Sequence, residues 1–285
     1  MKQRIILASL GVILLTSLLL FGKTETEKPP IAPTAQNEVP AFDIQTAIRK
    51  EKQNLNSSQV LYIANLENGI TRGDLKKQEK NQYTALADFW KDSAKSFIPY
   101  AFYLSESAKL DNSKKSLTFA ARLILENMRR ETKTDVKVWE AQTAADLFEK
   151  AIKLDPNDDD LKVGLGSCYV YGEGMVGDAS QTMKGIQQLL EVVRRDSNNM
   201  QAQLVLGIGA VISNQSDKAI VRLSKVANFD PHNLEAVSWL ADAYAAEGDK
   251  KNAIKWYEQS KHLVNNPEFS KEIDARIKTL NESSH

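Results

Sequence analysis

Beyond residue 42 the apolar positions recur every three or four residues, and no segment alternates apolar with polar as a half-buried strand would. Phe42–Asn54 carries Ile44, Ala47 and Ile48; Ser57–Leu66 carries Val60, Leu61 and Ala64. Asn56-Ser57-Ser58 between them is a break and a cap, so two short antiparallel helices are expected, the second ended by Asn68-Gly69. A longer helix should follow over Thr71–Phe97, with Leu75, Tyr83, Leu86, Phe89, Trp90 and Phe97 on its inner face and Pro99 as its stop. Pro99–Leu110 and Ser113–Met128, divided by Asp111-Asn112, form the next expected pair, Phe102, Tyr103 and Ala108 facing Leu117, Ala120, Ala121 and Leu125. At the far end Phe269, Ile273, Ile277 and Leu280 make one stripe on an otherwise charged helix, the pattern of a terminal cap with a solvated outer face.

Between Met200 and Pro267 the pattern repeats. Leu206-Gly207, Ala219 and Leu223 return as Leu240-Ala241, Ala253 and Tyr257, each 34 residues later, and Asp230-Pro231 is answered slightly late by Pro267. A period of that length belongs to helix-turn-helix solenoids, in which small residues let two helices approach, large apolar ones fill the gap and proline ends the second helix. Ala243–Asp249 and Ala253-Ile254-x-x-Tyr257 resemble the tetratricopeptide repeat (TPR), which implies an all-α fold, an α/α superhelix of stacked helix pairs. Ala144-Ala145-x-Leu147-Phe148-x-x-Ala151-Ile152-x-Leu154-Asp155-Pro156 resembles a second TPR helix, and Leu165-Gly166 with Tyr169 resembles a first one. Its partner, Gly185-Ile186 with Leu189, arrives seven residues late; the insertion Gly172–Asp178 resembles the glycine-rich loop of Sel-like repeats.

The first residues read as a targeting element. Lys2 and Arg4 precede the uncharged run Ile5–Phe21, whose 17 residues would span roughly 25 Å as a helix, near the lower limit for crossing a bilayer. Leu20-Phe21-Gly22 is a poor cleavage site and no cysteine follows to take a lipid, so an uncleaved anchor is expected, with positive charge holding the amino terminus inside. The TPR-like solenoid would then stand behind a membrane anchor on the extracytoplasmic side of a cell membrane. Lys23–Ala41, with Pro29, Pro30, Pro33 and Pro40, reads as an extended tether. The expected divisions are an anchor over 1–22, a linker over 23–41, degenerate helical hairpins over 42–130, repeats over 131–267 (clearest at 159–199, 200–233 and 234–267) and a cap with tail over 268–285.

Basic and acidic residues balance at 37 each, so no positive field invites nucleic acid. Gly172-x-Gly174-x-x-Gly177 matches the dinucleotide fingerprint literally, but it follows a helix, not a strand, and is read as a loop. The acids of Asp155–Asp160 lack the glycine and glutamate of a calcium loop and suit a helix amino terminus. Cys168, the single cysteine, sits among packing residues and is expected buried; His232, His262 and His285 show no triad or ligand spacing. No catalytic residue, metal site or cofactor is therefore expected. Tyr244, Trp256 and Tyr257 occupy packing positions, whereas Trp239, on the first helix of a pair, is a candidate to face a ligand.

The resemblance implies that first helices line a concave groove. The matching positions are Asp160, Val163, Ser167 and Val170, then Gln201, Leu204, Ile208 and Val211, then Glu235, Ser238, Asp242 and Ala245. None is basic, which excludes a clamp for a terminal carboxylate on these helices. Ala202–Ile212 is apolar on nearly every face, so its groove side should be covered by a partner segment, a second copy of the chain, or the amino-terminal helices folding back. Leu204, Ile208, Val211, Ser238, Asp242, Val163 and Ser167 are thus the candidate partner-binding residues. The function expected is a non-enzymatic, membrane-tethered protein-protein interaction scaffold engaging envelope proteins; the alternative is a chaperone-like ancillary subunit holding apolar client segments.

Overall fold

The computed structural model describes residues 41–72, 76–174 and 179–282, of which all the regular structure is helical. The expected anchor Ile5–Phe21 and tether residues up to Pro40 lie outside the described residues. Among the described ones no helix is long and apolar enough to cross a membrane. The amino-terminal helices are α1 (Ile44–Lys52), α2 (Ser57–Arg72), α3 (Lys76–Asp88) and α4 (Phe97–Asp111). Next come α5 (Lys114–Met128), α6 (Thr134–Leu154), α7 (Asp159–Cys168) and α8 (Ala179–Arg195). The carboxy-terminal part holds α9 (Met200–Ile212), α10 (Ser216–Phe229), α11 (Leu234–Glu247), α12 (Lys250–Leu263) and α13 (Pro267–Glu282).

Helices α3–α4, α5–α6, α7–α8, α9–α10 and α11–α12 pack as consecutive pairs, and α13 packs on α12. The first helices α5, α7, α9 and α11 also stack on one another in order, which makes a TPR-like superhelix. The repeat is visible in its turns. Asn199 and Asn233, one period apart, cap α9 and α11 by accepting the N–H of Ala202 and Ala236 at 2.9 and 3.0 Å. Asn214 and Gly248, again one period apart, take the left-handed conformation after these helices, with φ of 53° and 83°. Only asparagine and glycine adopt it readily.

Four expectations are corrected. First, α2 does not stop at Asn68-Gly69 but runs to Arg72, because Gly69 serves close packing: a Cβ there would lie 2.9 Å from Gln82 Nε2 of α3. Second, Thr71–Phe97 is not one helix. After α3 a π-helical turn, Phe89–Ser93, swings buried Phe89 and Trp90 inward, Lys95 reverses the chain at φ 53°, and Phe97 opens α4. Pro99 sits in the first turn of α4, where its missing N–H removes no helical bond, so the helix expected over Pro99–Leu110 is present and begins two residues earlier, at Phe97. Third, α5 packs more extensively on α6 than on α4 and is the first helix of its pair.

Fourth, the glycine-rich insertion does not begin as a loop. Tyr169–Glu173 extends α7 by a π-helical turn. Gly172 lies in it so close to α6 that a Cβ would fall 2.2 Å from that of Ala141. Glycine is needed there for helix approach, not to cradle a phosphate. Residues 175–178 of the insertion lie outside the described ones.

The interior is a chain of apolar clusters. Trp90, Leu86 and Ile63 fill the amino-terminal one, Phe148, Leu147 and Leu117 the next, and Leu189, Ile208 and Leu223 the largest, under α7–α11. Ile273 seals the end with Ala253 and Tyr257, joined by Phe269, Ile277 and Leu280 on the α13 stripe. Within a pair the approach is set by a small residue beneath a leucine: Gly166 meets Leu189 and Gly207 meets Leu223, where a Cβ would come within 2.6 Å of either leucine Cγ.

Candidate interaction surface

Val163, Ser167, Leu204 and Ile208 are all buried, Ile208 completely. Val163, Leu204 and Ile208 belong to one apolar cluster with Val170, Tyr171 and Met128, and Ser167 donates its hydroxyl to the Val163 carbonyl at 2.8 Å. The groove side of α9 is therefore covered by the chain itself, through the lengthened α7, and needs neither a partner nor a second copy. Val211, Ser238 and Asp242 are half-buried. Asp242 is committed within the fold, accepting from Tyr257 Oη at 2.5 Å and Arg276 Nη1 at 2.8 Å. The seven candidates thus do not form one open face.

What closes the groove is a bridge across 106 residues of sequence. Arg129, just after α5, pairs with Glu235 in the first turn of α11. Between them stands Tyr171, from the π-helical extension: its hydroxyl donates to Glu235 Oε1 at 2.9 Å and its ring lies 4.8 Å beneath the Arg129 guanidinium. Burial raises the Tyr171 hydroxyl well above the ordinary phenol range and Glu235 adds to it, so Tyr171 remains a donor. Burial opposes the charge on Arg129, but Tyr171 and Glu235 outweigh it and leave its pKa raised.

Outside this bridge is a cavity of about 440 Å³. Glu126, Arg129, Arg130 and Lys137 line one side, Tyr171, Glu235 and Trp239 the other. Arg130 is paired with Glu126 at 2.5 Å. Lys137 makes no ion pair among the described residues. Trp239, half-buried, brings an indole face to the same hollow, the placement that a first-helix aromatic allowed. Trp90 is instead fully buried, and Trp139 meets Phe42 in a tilted ring contact with centroids 5.5 Å apart.

The same face continues along α5. Lys114 bridges Asp155 and Asp158 at 2.7 and 2.5 Å, Arg122 pairs with Asp160 at 3.3 Å, and Phe119 is 57% exposed between them. The cations missing from the groove positions of α7, α9 and α11 therefore sit on α5, a first helix whose repeat pattern is too degenerate to read. Asp158 also caps α7, accepting from the N–H of Asp160 and Leu161. Burial works against the Asp158 carboxylate, but Lys114 and these N–H groups hold it below the usual range. The acids of that turn are capping and pairing groups. Cys168 is buried in the second cluster.

No protein-family model matches the chain, and no curated protein sequence matches it. Solved structures do. MamA aligns at 17% identity and a TM-score of 0.45, over 65% of this chain and 91% of its own. YrrB, described as a TPR protein with an unusual peptide-binding site, aligns at 16% and 0.45, over 68% and 91%. TTC0263, a thermophilic TPR protein of Thermus thermophilus, aligns at 14% and 0.49, over 70% and 98%. The chain is a TPR-like helical repeat protein, as its own 34-residue period and stacked helix pairs establish.

Proposed function

We propose that this chain is a non-enzymatic protein-protein interaction scaffold, held at a membrane by Ile5–Phe21 with its helical domain on the extracytoplasmic side, where it engages envelope proteins. The observation that carries the interaction is the cavity at the groove mouth. Lys137 there makes no ion pair among the described residues, the buried Glu140 acting on it only at longer range, and Trp239 lines the same hollow. A cation and an indole in one hollow suit a peptide segment carrying a carboxylate next to an apolar side chain. The chaperone-like reading is weaker, since the apolar stripe it would use, Leu204 and Ile208, is occupied by the chain's own core.

The test is site-specific photo-crosslinking from position 137 or 239 in intact cells, with salt-washed membranes as the second readout. One discrete adduct, lost in Lys137→Glu, with the protein retained on the washed membranes, is the expected result. A smear of many clients would favour the chaperone reading. No adduct from either position would remove the mouth as a binding site, and release by salt would remove the anchor.

A further inference from the structure

A second cavity lies on the far side of α9 from Ile208. Leu206, Gly209 and Ala210 form its floor, and at about 100° per residue they point roughly 100–200° around the helix from that groove position. It measures about 680 Å³ and runs between α8 and α10, the second helices of two successive units. Its two walls differ. On α8 Met183, Ile186 and Leu190 make an apolar stripe, Met183 being 57% exposed. On α10 Lys218 and Arg222 stand one turn apart, preceded by Gln215.

Neither cation has a carboxylate partner among the described residues. Lys218 donates to Gln215 Oε1 and Arg222 to Gln203 Oε1, both at 2.7 Å. These are neutral acceptors. Burial without a compensating acid lowers the Arg222 guanidinium pKa. A half-buried cation that the chain leaves without an opposite charge, beside an apolar wall it leaves open, is complementary to something apolar on one side and anionic on the other.

The spacing of the charges selects the occupant. Lys218 and Arg222 are four positions apart on the helix, about 6 Å along the wall. A fatty-acid-like molecule presents one anionic head and would be met by groups converging at one end of the cavity. Two cations strung along a wall match two carboxylates strung along a chain, such as acids at i and i+4 of a helix. We propose that the α8–α10 cavity is a second docking site, distinct from the groove mouth, for an amphipathic acidic helix of a partner protein, apolar face on α8 and carboxylates on α10.

The experiment uses the full-length protein carrying Lys137→Ala and Trp239→Ala, so that the groove mouth contributes nothing. Displayed random 16-residue peptides are panned on it, and the enriched peptides are measured by fluorescence anisotropy at low and high salt. Enrichment of leucine-rich peptides with acids four apart is expected. Their binding should weaken at least tenfold at high salt, in Met183→Glu, and in the double variant Lys218→Gln with Arg222→Gln. Thermal melts of these surface variants should match the parent, and Lys218→Glu with Arg222→Glu should switch preference to lysine-bearing versions of the same peptides. Failure to enrich acidic peptides, or indifference of their affinity to both variants, overturns the proposal. So does direct binding of dodecanoate, lost in Met183→Glu, with no peptide enriched, which would assign the cavity to a single-headed amphiphile. Self-association of the protein lost in Arg222→Gln would assign it to a second copy and overturn it equally.

Discussion

The unit α7–α8 and the two units that follow it are built on the same plan, and their one difference decides what the groove can do. In α9–α10 and α11–α12 the first helix ends at a left-handed residue, Asn214 or Gly248, and the second helix starts within two residues. In α7–α8 the first helix runs on through a π-helical turn to Glu173. The added turn delivers Tyr171 to the groove mouth, where it joins Arg129 and Glu235. A regular repeat leaves its concave side available, whereas a lengthened first helix spends that side on the protein's own core. An insertion in a solenoid therefore need not be a surface decoration.

The largest expected effect tests whether the groove is sealed. Ile208→Asp places a carboxylate with no partner in a fully buried apolar site, which should lower stability by roughly 3–5 kcal/mol. Against a net stability of about 5–15 kcal/mol this is a large loss, visible as an early melt followed by circular dichroism. A variant that melts like the parent would mean that this face is open. The equivalent of Ile208 one unit later is Asp242, a half-buried acid already native there. The pair thus shows how fast the groove opens towards the carboxy terminus.

The second effect concerns Glu140, a fully buried carboxyl on α6, the helix on which the lengthened α7 packs. Asn127 Nδ2 donates to Oε1 at 2.7 Å, and Oε2 has no hydrogen-bond partner. Burial pushes its pKa from 4.5 up to about 7; Asn127 counteracts, Glu131 adds to the rise and Lys137 opposes it. A folded-state value above the unfolded one means that the folded chain holds the proton longer. Stability from this group is therefore full below about 4.5, falls as pH rises, and is gone above about 7. Urea midpoints taken across that window should decline in the parent more than in Glu140→Gln. Equal declines would show that Glu140 ionises as freely folded as unfolded.

How much of this was legible follows the same division. Where the 34-residue period is intact, the residues themselves name the helices, the small-residue contacts at Gly207 and Ala241, and the terminal stripe from Phe269 to Leu280. The pairing of α5 with α6 was not legible, because α5 offers no small-large signature at the expected spacing, and its cations were therefore absent from the groove as read. Gly172 misled for a physical reason: a glycine that permits a tight turn and one that permits two helices to touch are the same letter. The covering of Ile208 could be inferred from apolarity alone, but not its agent. Tyr171 reaches the groove only because the chain keeps helical geometry where its glycines suggested a loop.

The third effect separates those two uses of glycine. Gly172→Ala would bring two β-carbons to 2.2 Å, so α7 and α6 must part, at a cost of about 1–3 kcal/mol. Combining it with Ala141→Gly removes the opposing methyl and should recover most of the loss, a coupling that a double-mutant cycle on urea midpoints measures directly. Additive effects of the two changes would return Gly172 to the role of a turn residue.

The smallest effect belongs to the regular units and isolates backbone strain from packing. At Gly248 a Cβ would meet nothing within 4 Å, yet φ is 83°, so Gly248→Ala should cost about 1 kcal/mol through conformation alone. Asn214, its counterpart one period earlier, already tolerates a left-handed φ of 53°. Asn214→Gly relieves that strain but frees the unfolded chain, and the two terms nearly cancel to within about 0.5 kcal/mol. Asn214→Ala should fall beside Gly248→Ala, since both place an unbranched Cβ in the same conformation with no polar group to offset it. If Asn214→Ala proves harmless while Gly248→Ala does not, the two turns are not equivalent, and the period would then govern the helices without governing the links between them.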